Sequence, residues 1–334
     1  MNKILQKDIK KMEIKMTLLP DSNLSFFEKG SGKILVCELE SKDLDVFAWA
    51  LKNKNLIEDE ILKYGGILFR NLNLHSVSEF NRFVQALAPN LLEYVYRSTP
   101  RTRLGGKIYT ATEYPADRTI PLHNENAYSL SWPEKIFFFA VLVASEGGET
   151  PTADSRNIYK RIDPDIRRKF EEKRILYVRN YRAGMDLSWQ EVFQTDKKEE
   201  VEEYCKKNSI EWEWNRGLSE LTTRQVCQAI LSHPRTNEKV WFNQAHLFHI
   251  SNLDEDARAS LLKEYGEDFL PRNSFYGDGT PLEIEVLNHI REAYDQEKII
   301  FKWQKGDIML LDNMLMAHGR EPYKGERKVA VAMA

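Results

Sequence analysis

The stretch Pro121-Leu122-His123-Asn124-Glu125-Asn126 decides how the rest of the chain is read. It sets a histidine and a glutamate one residue apart. In a β-strand, side chains alternate faces, so residues i and i+2 project the same way. His123 and Glu125 on a strand would therefore present one imidazole nitrogen and one carboxylate oxygen together. That is two thirds of the two-histidine, one-carboxylate facial triad that holds non-haem Fe(II) and leaves coordination positions open. A third ligand, a co-substrate pocket and a scaffold must then come from elsewhere in the chain.

The third ligand should be a late histidine. His318 follows two short apolar runs in Gly306-Asp307-Ile308-Met309-Leu310-Leu311-Asp312-Asn313-Met314-Leu315-Met316-Ala317-His318, so a late strand could bring it beside His123. The pair His246-x-x-His249 is a rival, because residues i and i+3 share a helix face and could bind zinc. The preceding Val240-Trp241-Phe242-Asn243-Gln244 reads as strand or loop, however, and no third ligand stands near it. A ferrous site that activates O2 usually draws electrons from a co-substrate. If that is 2-oxoglutarate, arginine suits its distal carboxylate, because the planar guanidinium matches a carboxylate bidentately. Arg327 lies nine residues after His318 at the mouth of the last strand, and Thr150 in Gly147-Gly148-Glu149-Thr150 could add a hydroxyl from the opposite sheet. Taken alone, Arg327 would read as a surface ion pair with Glu326 or Glu321.

The pattern around these residues is mainly β with surrounding helices. Helical spacing covers Asp43 to Lys54 and Ser76 to Ala88, with the short buried strand Ile67-Leu68-Phe69 between them. Strands are expected at 107–112, 120–127 and 135–143, the last an apolar run fit for a central core strand. Helix is expected over 155–173 and strand over 175–181. A polar section at about 183–298 follows, with helices at 197–207, 254–265 and 283–294 and a strand at 240–242. Strands return at 299–303, 307–311 and 328–333. Early and late strands thus enclose a long insertion, the layout of a jelly roll whose first and last strands meet in one double-sheet sandwich. We expect residues 1–40 to be a tail and lead-in. Residues 41–334 read as one domain with a helical insertion at 183–298, since no Pro/Gly/Ser linker separates it.

Composition narrows the function. Hydrophobic residues make up 42% of the 334 residues, enough for a large core, and the net charge of −3 gives no support for nucleic-acid binding. The three cysteines, Cys37, Cys205 and Cys227, lack CxxC spacing, which argues against a disulfide framework or a thiolate zinc site and for reduced thiols in a cytoplasmic protein. The lysine-rich segment 1–15 has no apolar core of signal-peptide type. No run approaches the ~18 apolar residues of a membrane span.

Together, His123-x-Glu125, Gly-Gly-Glu-Thr150, Trp303…Gly306-Asp307 and Asp312-Asn313…His318-Gly319-Arg320…Arg327 resemble the TauD/TfdA, taurine dioxygenase-like group of Fe(II)/2-oxoglutarate oxygenases, over roughly residues 60 to 334 and in the family order. The resemblance implies a double-stranded β-helix of clavaminate synthase-like type. It implies that His123, Glu125 and His318 bind iron, that Thr150 and Arg327 hold 2-oxoglutarate, and that O2 is the second co-substrate. Most relatives carry Asp where this chain has Glu125. Glu is similar to what clavaminate synthase and asparagine-hydroxylase relatives use, and those act on amino-acid-like substrates. Since the carboxylate is present, hydroxylation is favoured over halogenation. No second arginine follows Arg327 in Val329 to Ala334.

The middle of the chain, with Ser188-Trp189-Gln190-Glu191, His233-Pro234, Trp241-Phe242-Asn243-Gln244 and Leu270-Pro271-Arg272-Asn273, is similar to SyrP-like hydroxylases of peptide natural-product pathways. That suggests β-hydroxylation of an amino acid or an amino-acid-derived group, free or tethered to a peptidyl carrier protein. Asn126, Arg97, Arg182 and Asn243 are candidate substrate contacts. The basic loop Arg97–Lys107 reads as a solvated surface, with docking of an acidic carrier as the sharper alternative. Two rival functions stand beside this one: a facial-triad metalloenzyme without 2-oxoglutarate, and a non-catalytic jelly-roll binding protein.

Overall fold

The computed structural model describes residues 12–13, 19–182, 184, 186–215 and 220–334, so most of the basic N-terminal segment lies outside the described residues. Two sheets face each other. The larger has nine strands in the order Met12–Glu13, Ser22–Lys29, Gly32–Leu39, Gly66–Arg70, Ile308–Asp312, Lys135–Leu142, Lys328–Met333, Ile108–Thr110 and Arg103–Gly105. All its pairings are antiparallel except Gly32–Leu39 with Gly66–Arg70. The smaller sheet has three strands, with Met316–Arg320 between Thr152–Asp154 and Ile120–His123. Strands from both ends of the chain close one double-stranded β-helix. The expected lead-in is part of it, since the hairpin Ser22–Leu39 supplies two strands of the large sheet.

The apolar run 135–142 shows why this sheet is central. Phe137 and Phe139 point to one face and pack with Phe69, Phe80 and Phe83 under the helix Val77–Leu87. Ile136, Phe138 and Ala140 point to the other, between the sheets. A strand covered on both faces has no polar side, hence the unbroken apolar sequence. Each fully buried Phe contributes roughly 1.5–3 kcal/mol through burial. The helix Val77–Leu87 opens with a reciprocal capping box between Ser76 and Glu79.

The insertion differs from a purely helical one. It carries the helices Lys198–Lys207, Glu255–Tyr265 and Ile284–Glu297, and also three strands, Glu211–Trp214, Leu221–Cys227 and Arg272–Tyr276, which build a four-stranded antiparallel sheet on the expected strand Ile175–Tyr181. Polar residues stand among the buried positions of these strands, as Thr222, Thr223 and Gln225 do in Leu221–Cys227, so no apolar alternation marks them in the sequence. Residues 155–173 form two helices, because Pro164 starts a new one at its first position after the Asp163 cap. The stretch 299–303 runs extended without becoming a full strand. Ile299 exchanges both backbone hydrogen bonds with Thr152 (2.7 and 2.9 Å), and Phe301 and Trp303 turn into the core. No helix among the described residues is long and apolar enough to cross a membrane.

Candidate metal centre

His318 sits on the central strand of the small sheet, directly opposite His123 on one side and Thr152 on the other. Directly opposed residues in an antiparallel pair share a face and bring their Cβ atoms within about 5 Å. The two imidazoles accordingly lie 4.7 Å apart, centroid to centroid. Glu125 reaches them by a different route from the expected one. The strand ends at His123, and Glu125 opens a turn in which Asn126 takes a left-handed φ of 55°. The convergence therefore comes from a bend, not from strand alternation. Asn313 fixes that bend. Its Oδ1 accepts from the Glu125 N–H (2.7 Å), and its Nδ2 donates to the Glu125 and Pro133 carbonyls (2.9 Å each).

One nitrogen of each histidine and one oxygen of Glu125 lie within 4.8 Å of one another. Glu125 Oε2 is 3.7 Å from His318 Nε2. His123 Nδ1 donates to the Pro121 carbonyl at 2.8 Å, which directs the lone pair of Nε2 toward the cluster. His318 Nδ1 is buried without a partner. Burial, with His318 and Arg101 nearby, draws the His123 imidazole down to about 4, so it is neutral and able to ligate at physiological pH. Burial alone would raise the Glu125 carboxyl, but the adjoining Arg101 guanidinium and the two imidazoles outweigh it and hold the group ionised. Two imidazole nitrogens and one carboxylate on one side, open on the other, suit a ferrous ion.

Thr150 and Arg327 share a narrow cavity with His123 and His318. Trp303 Nε1 donates to Thr150 Oγ1 at 3.0 Å, Arg327 Nη2 approaches the same hydroxyl at 3.4 Å, and Arg327 Nε donates to the Gly148 carbonyl at 2.8 Å. Burial brings Arg327 down to about 10, which leaves it charged at neutral pH. Gly148, at φ +73°, accepts this approach because a Cβ there would stand 2.9 Å from Arg327 Cδ. A second, larger cleft of about 750 Å³ opens beside the cluster, with His123, Glu125 and Arg101 among its lining residues.

The other candidate residues lie apart from these cavities. Asn243 is buried, donating to the Ala229 carbonyl and accepting from the Ala245 N–H. Arg97 donates to the carbonyls of Tyr94 and Arg101. Asn126 accepts from the Tyr128 hydroxyl (3.1 Å), and Arg182 lies over the Tyr265 ring. His246 and His249 do not converge: His246 Nε2 donates to the Leu122 carbonyl, whereas His249 Nδ1 caps the Ile250–Asn252 turn. The residue missed in the sequence is Arg101. The loop expected to be solvated buries it at the site, where Nη2 donates to Glu125 Oε2 at 2.7 Å. Nothing in the basic pattern of 97–107 distinguishes it from Arg97, Arg103 and Lys107, none of which is buried.

Fold and site together define a facial-triad oxygenase of the double-stranded β-helix class. The family model for the taurine catabolism dioxygenase TauD, TfdA family matches residues 34–333, and the chain belongs to that family. It is a 2-oxoglutarate-dependent non-haem iron dioxygenase, with Fe(II) as its metal. Among curated proteins, it is 46% identical over 276 residues to the dapdiamide synthesis protein DdaC of Enterobacter agglomerans, covering 82% of this chain and 84% of that one. It is 30% identical over 302 residues to a clavaminate synthase-like protein of Arabidopsis thaliana, covering 87% and 88%. Among solved structures it resembles PvcB from Pseudomonas aeruginosa, with a TM-score of 0.56 at 14% identity over 96% of this chain and 94% of that one. It also resembles AAD-2 in complex with Mn(II) and N-oxalylglycine, with a TM-score of 0.54 at 12% identity over 93% and 96%. At these identities the structural likenesses speak to fold.

Proposed function

We propose that this enzyme hydroxylates an unactivated C–H bond, the β-carbon, of an amino acid or amino-acid-derived substrate, free or carrier-tethered, in a cytoplasmic natural-product pathway. The domain, with the hairpin Ser22–Leu39 in its large sheet, works as one catalytic unit with its insertion. His123, Glu125 and His318 are the metal ligands, and Thr150 and Arg327 grip the distal carboxylate of 2-oxoglutarate. The observation that carries this reading is the cluster within 4.8 Å, next to a cavity bordered by both Thr150 and Arg327. The similarity to a dapdiamide synthesis protein supports the pathway class. The carboxylate at position 125 supports hydroxylation.

The bound ferrous ion with 2-oxoglutarate and O2 supplies the oxidising power for C–H cleavage. The protein's own groups do the rest. His123 is held in one tautomer by Pro121, Glu125 is fixed by Asn313, and Phe138 packs 5.0 Å from the His318 ring and shields it from water. Arg327 and Thr150 orient the co-substrate through the fork and the hydroxyl. The cleft beside Glu125 receives the substrate.

Anaerobic addition of Fe(II) and then 2-oxoglutarate tests this. A visible metal-to-ligand charge-transfer band is expected from the wild type and none from His318→Ala. A wild type without the band overturns the reading, and a band of full strength in His318→Ala overturns that ligand. Succinate release across free and carrier-loaded amino acids then identifies the substrate form.

A further inference from the structure

Arg101 is an arginine with work left undone. Its side chain is 3% exposed, and charged side chains are rarely buried this far unless paired. Only Nη2 is paired, to Glu125; Nε and Nη1 are buried without any partner. The guanidinium lies over the Tyr94 ring, 4.4 Å from its centroid, which holds it in place. It borders both the large cleft and the cavity of Thr150 and Arg327.

Two other arginines border the cleft, and neither is in this state. Arg272 is held by Asp186 and the Ser98 carbonyl. Arg118 is exposed and 3.8 Å from Asp254. The acidic residues Asp117 and Asp254 of the same cleft are exposed as well, leaving Glu125 as the buried carboxylate among its described lining.

Charge sharpens the point. Once Glu125 serves a dication, its single negative charge must answer both the metal and Arg101. A dianionic co-substrate balances the metal but also faces Arg327. One positive charge then stays buried without a counterion, and such a charge is costly unless an anion meets it.

We propose that Arg101 is the anion subsite of the substrate cleft: it receives a carboxylate of the substrate on a fork formed by an unpartnered nitrogen, Nε or Nη1, with one Nη2 hydrogen, while the other Nη2 hydrogen holds Glu125. The substrate class is therefore one bearing a free carboxylate within reach of the metal. This inference rests on the proposed function above. Arg101 gives the cleft specificity by leaving a buried, charged fork unmatched whenever the substrate lacks its carboxylate.

The test uses the full chain with Fe(II) and 2-oxoglutarate under anaerobic conditions. The probes are N-acetyl L-amino acids, including the aspartate and glutamate derivatives, each compared with its carboxamide. Binding is read from the shift of the charge-transfer band, without turnover. Charge-assisted hydrogen bonds predict that at least one acid binds roughly tenfold or more tighter than its amide. Arg101→Lys, which keeps the charge beside Glu125 but not the planar fork, should reduce that preference to less than about threefold, with the 2-oxoglutarate dissociation constant changed by less than about threefold. The proposal is overturned if no acid in the panel outbinds its amide, or if Arg101→Lys keeps the preference. Should that variant lose the metal, the wild-type comparison alone decides. A missing band in the wild type instead rejects the underlying metal and co-substrate reading.

Discussion

Asn313 clasps the backbone of Glu125 from both sides, 188 residues away in sequence: Oδ1 accepts its N–H at 2.7 Å and Nδ2 donates to its C=O at 2.9 Å. The side chain that could face the metal is aimed by a residue that never touches it. Asn313→Ala leaves these buried backbone groups unsatisfied, at a cost of about 1–3 kcal/mol each. Supporting-shell losses typically weaken metal affinity ten- to a hundredfold. Competitive metal titration should show that range, and calorimetry a lower melting temperature.

The Arg101–Glu125 pair makes a second prediction. Both side chains are 3% exposed, so Glu125→Ala strands a buried cation and should cost roughly 3–5 kcal/mol in the metal-free protein. Combining Glu125→Ala with Arg101→Met removes both charges and should recover most of that loss. Urea unfolding of the single and double variants would measure the coupling, and strictly additive losses would speak against a direct pair.

Arg327 and Trp303 should separate by size of effect. Arg327→Lys loses the fork that matches a carboxylate and should weaken 2-oxoglutarate binding ten- to a hundredfold. Trp303→Phe removes one neutral hydrogen bond to Thr150, worth about 0.5–1.5 kcal/mol, and should weaken it two- to tenfold. Titration of 2-oxoglutarate into the Fe(II) protein reads both.

Buried histidines set the acid limb of stability. Burial lowers His246 to about 3 and His123 to about 4 from an ordinary value of 6.5. Unfolding therefore takes up protons between pH 6.5 and these values. The stability these groups contribute is fully present above pH 6.5 and is lost as pH falls toward 4. Each contributes a slope of about 1.4 kcal/mol per pH unit in that window. His246→Gln should flatten the slope by about one histidine's worth in denaturation curves of the metal-free protein.

Much of the scaffold was legible because it obeys local rules. The apolar run at 135–142, the capping box at Ser76 and Glu79, and the β-rich segments at both ends are each written in consecutive residues. The motif order also singled out His123, Glu125, His318, Thr150 and Arg327, which the fold gathers into one cluster and its neighbouring cavity. The antiparallel sheet of the insertion was less legible, since buried polar residues such as Thr222, Thr223 and Gln225 break any apolar alternation.

What the sequence by itself determined, then, was the set of chemical groups and the closed β framework, both carried by residue type and short periodicity. Tertiary structure alone decided their orientation. The bend at Glu125 depends on Asn313, and the burial of Arg101 depends on Tyr94 beneath it and Glu125 beside it. Neither has a local signature, because burial and partner choice arise from where distant segments pack. A basic loop reads as solvated until the fold puts one of its arginines where water does not reach.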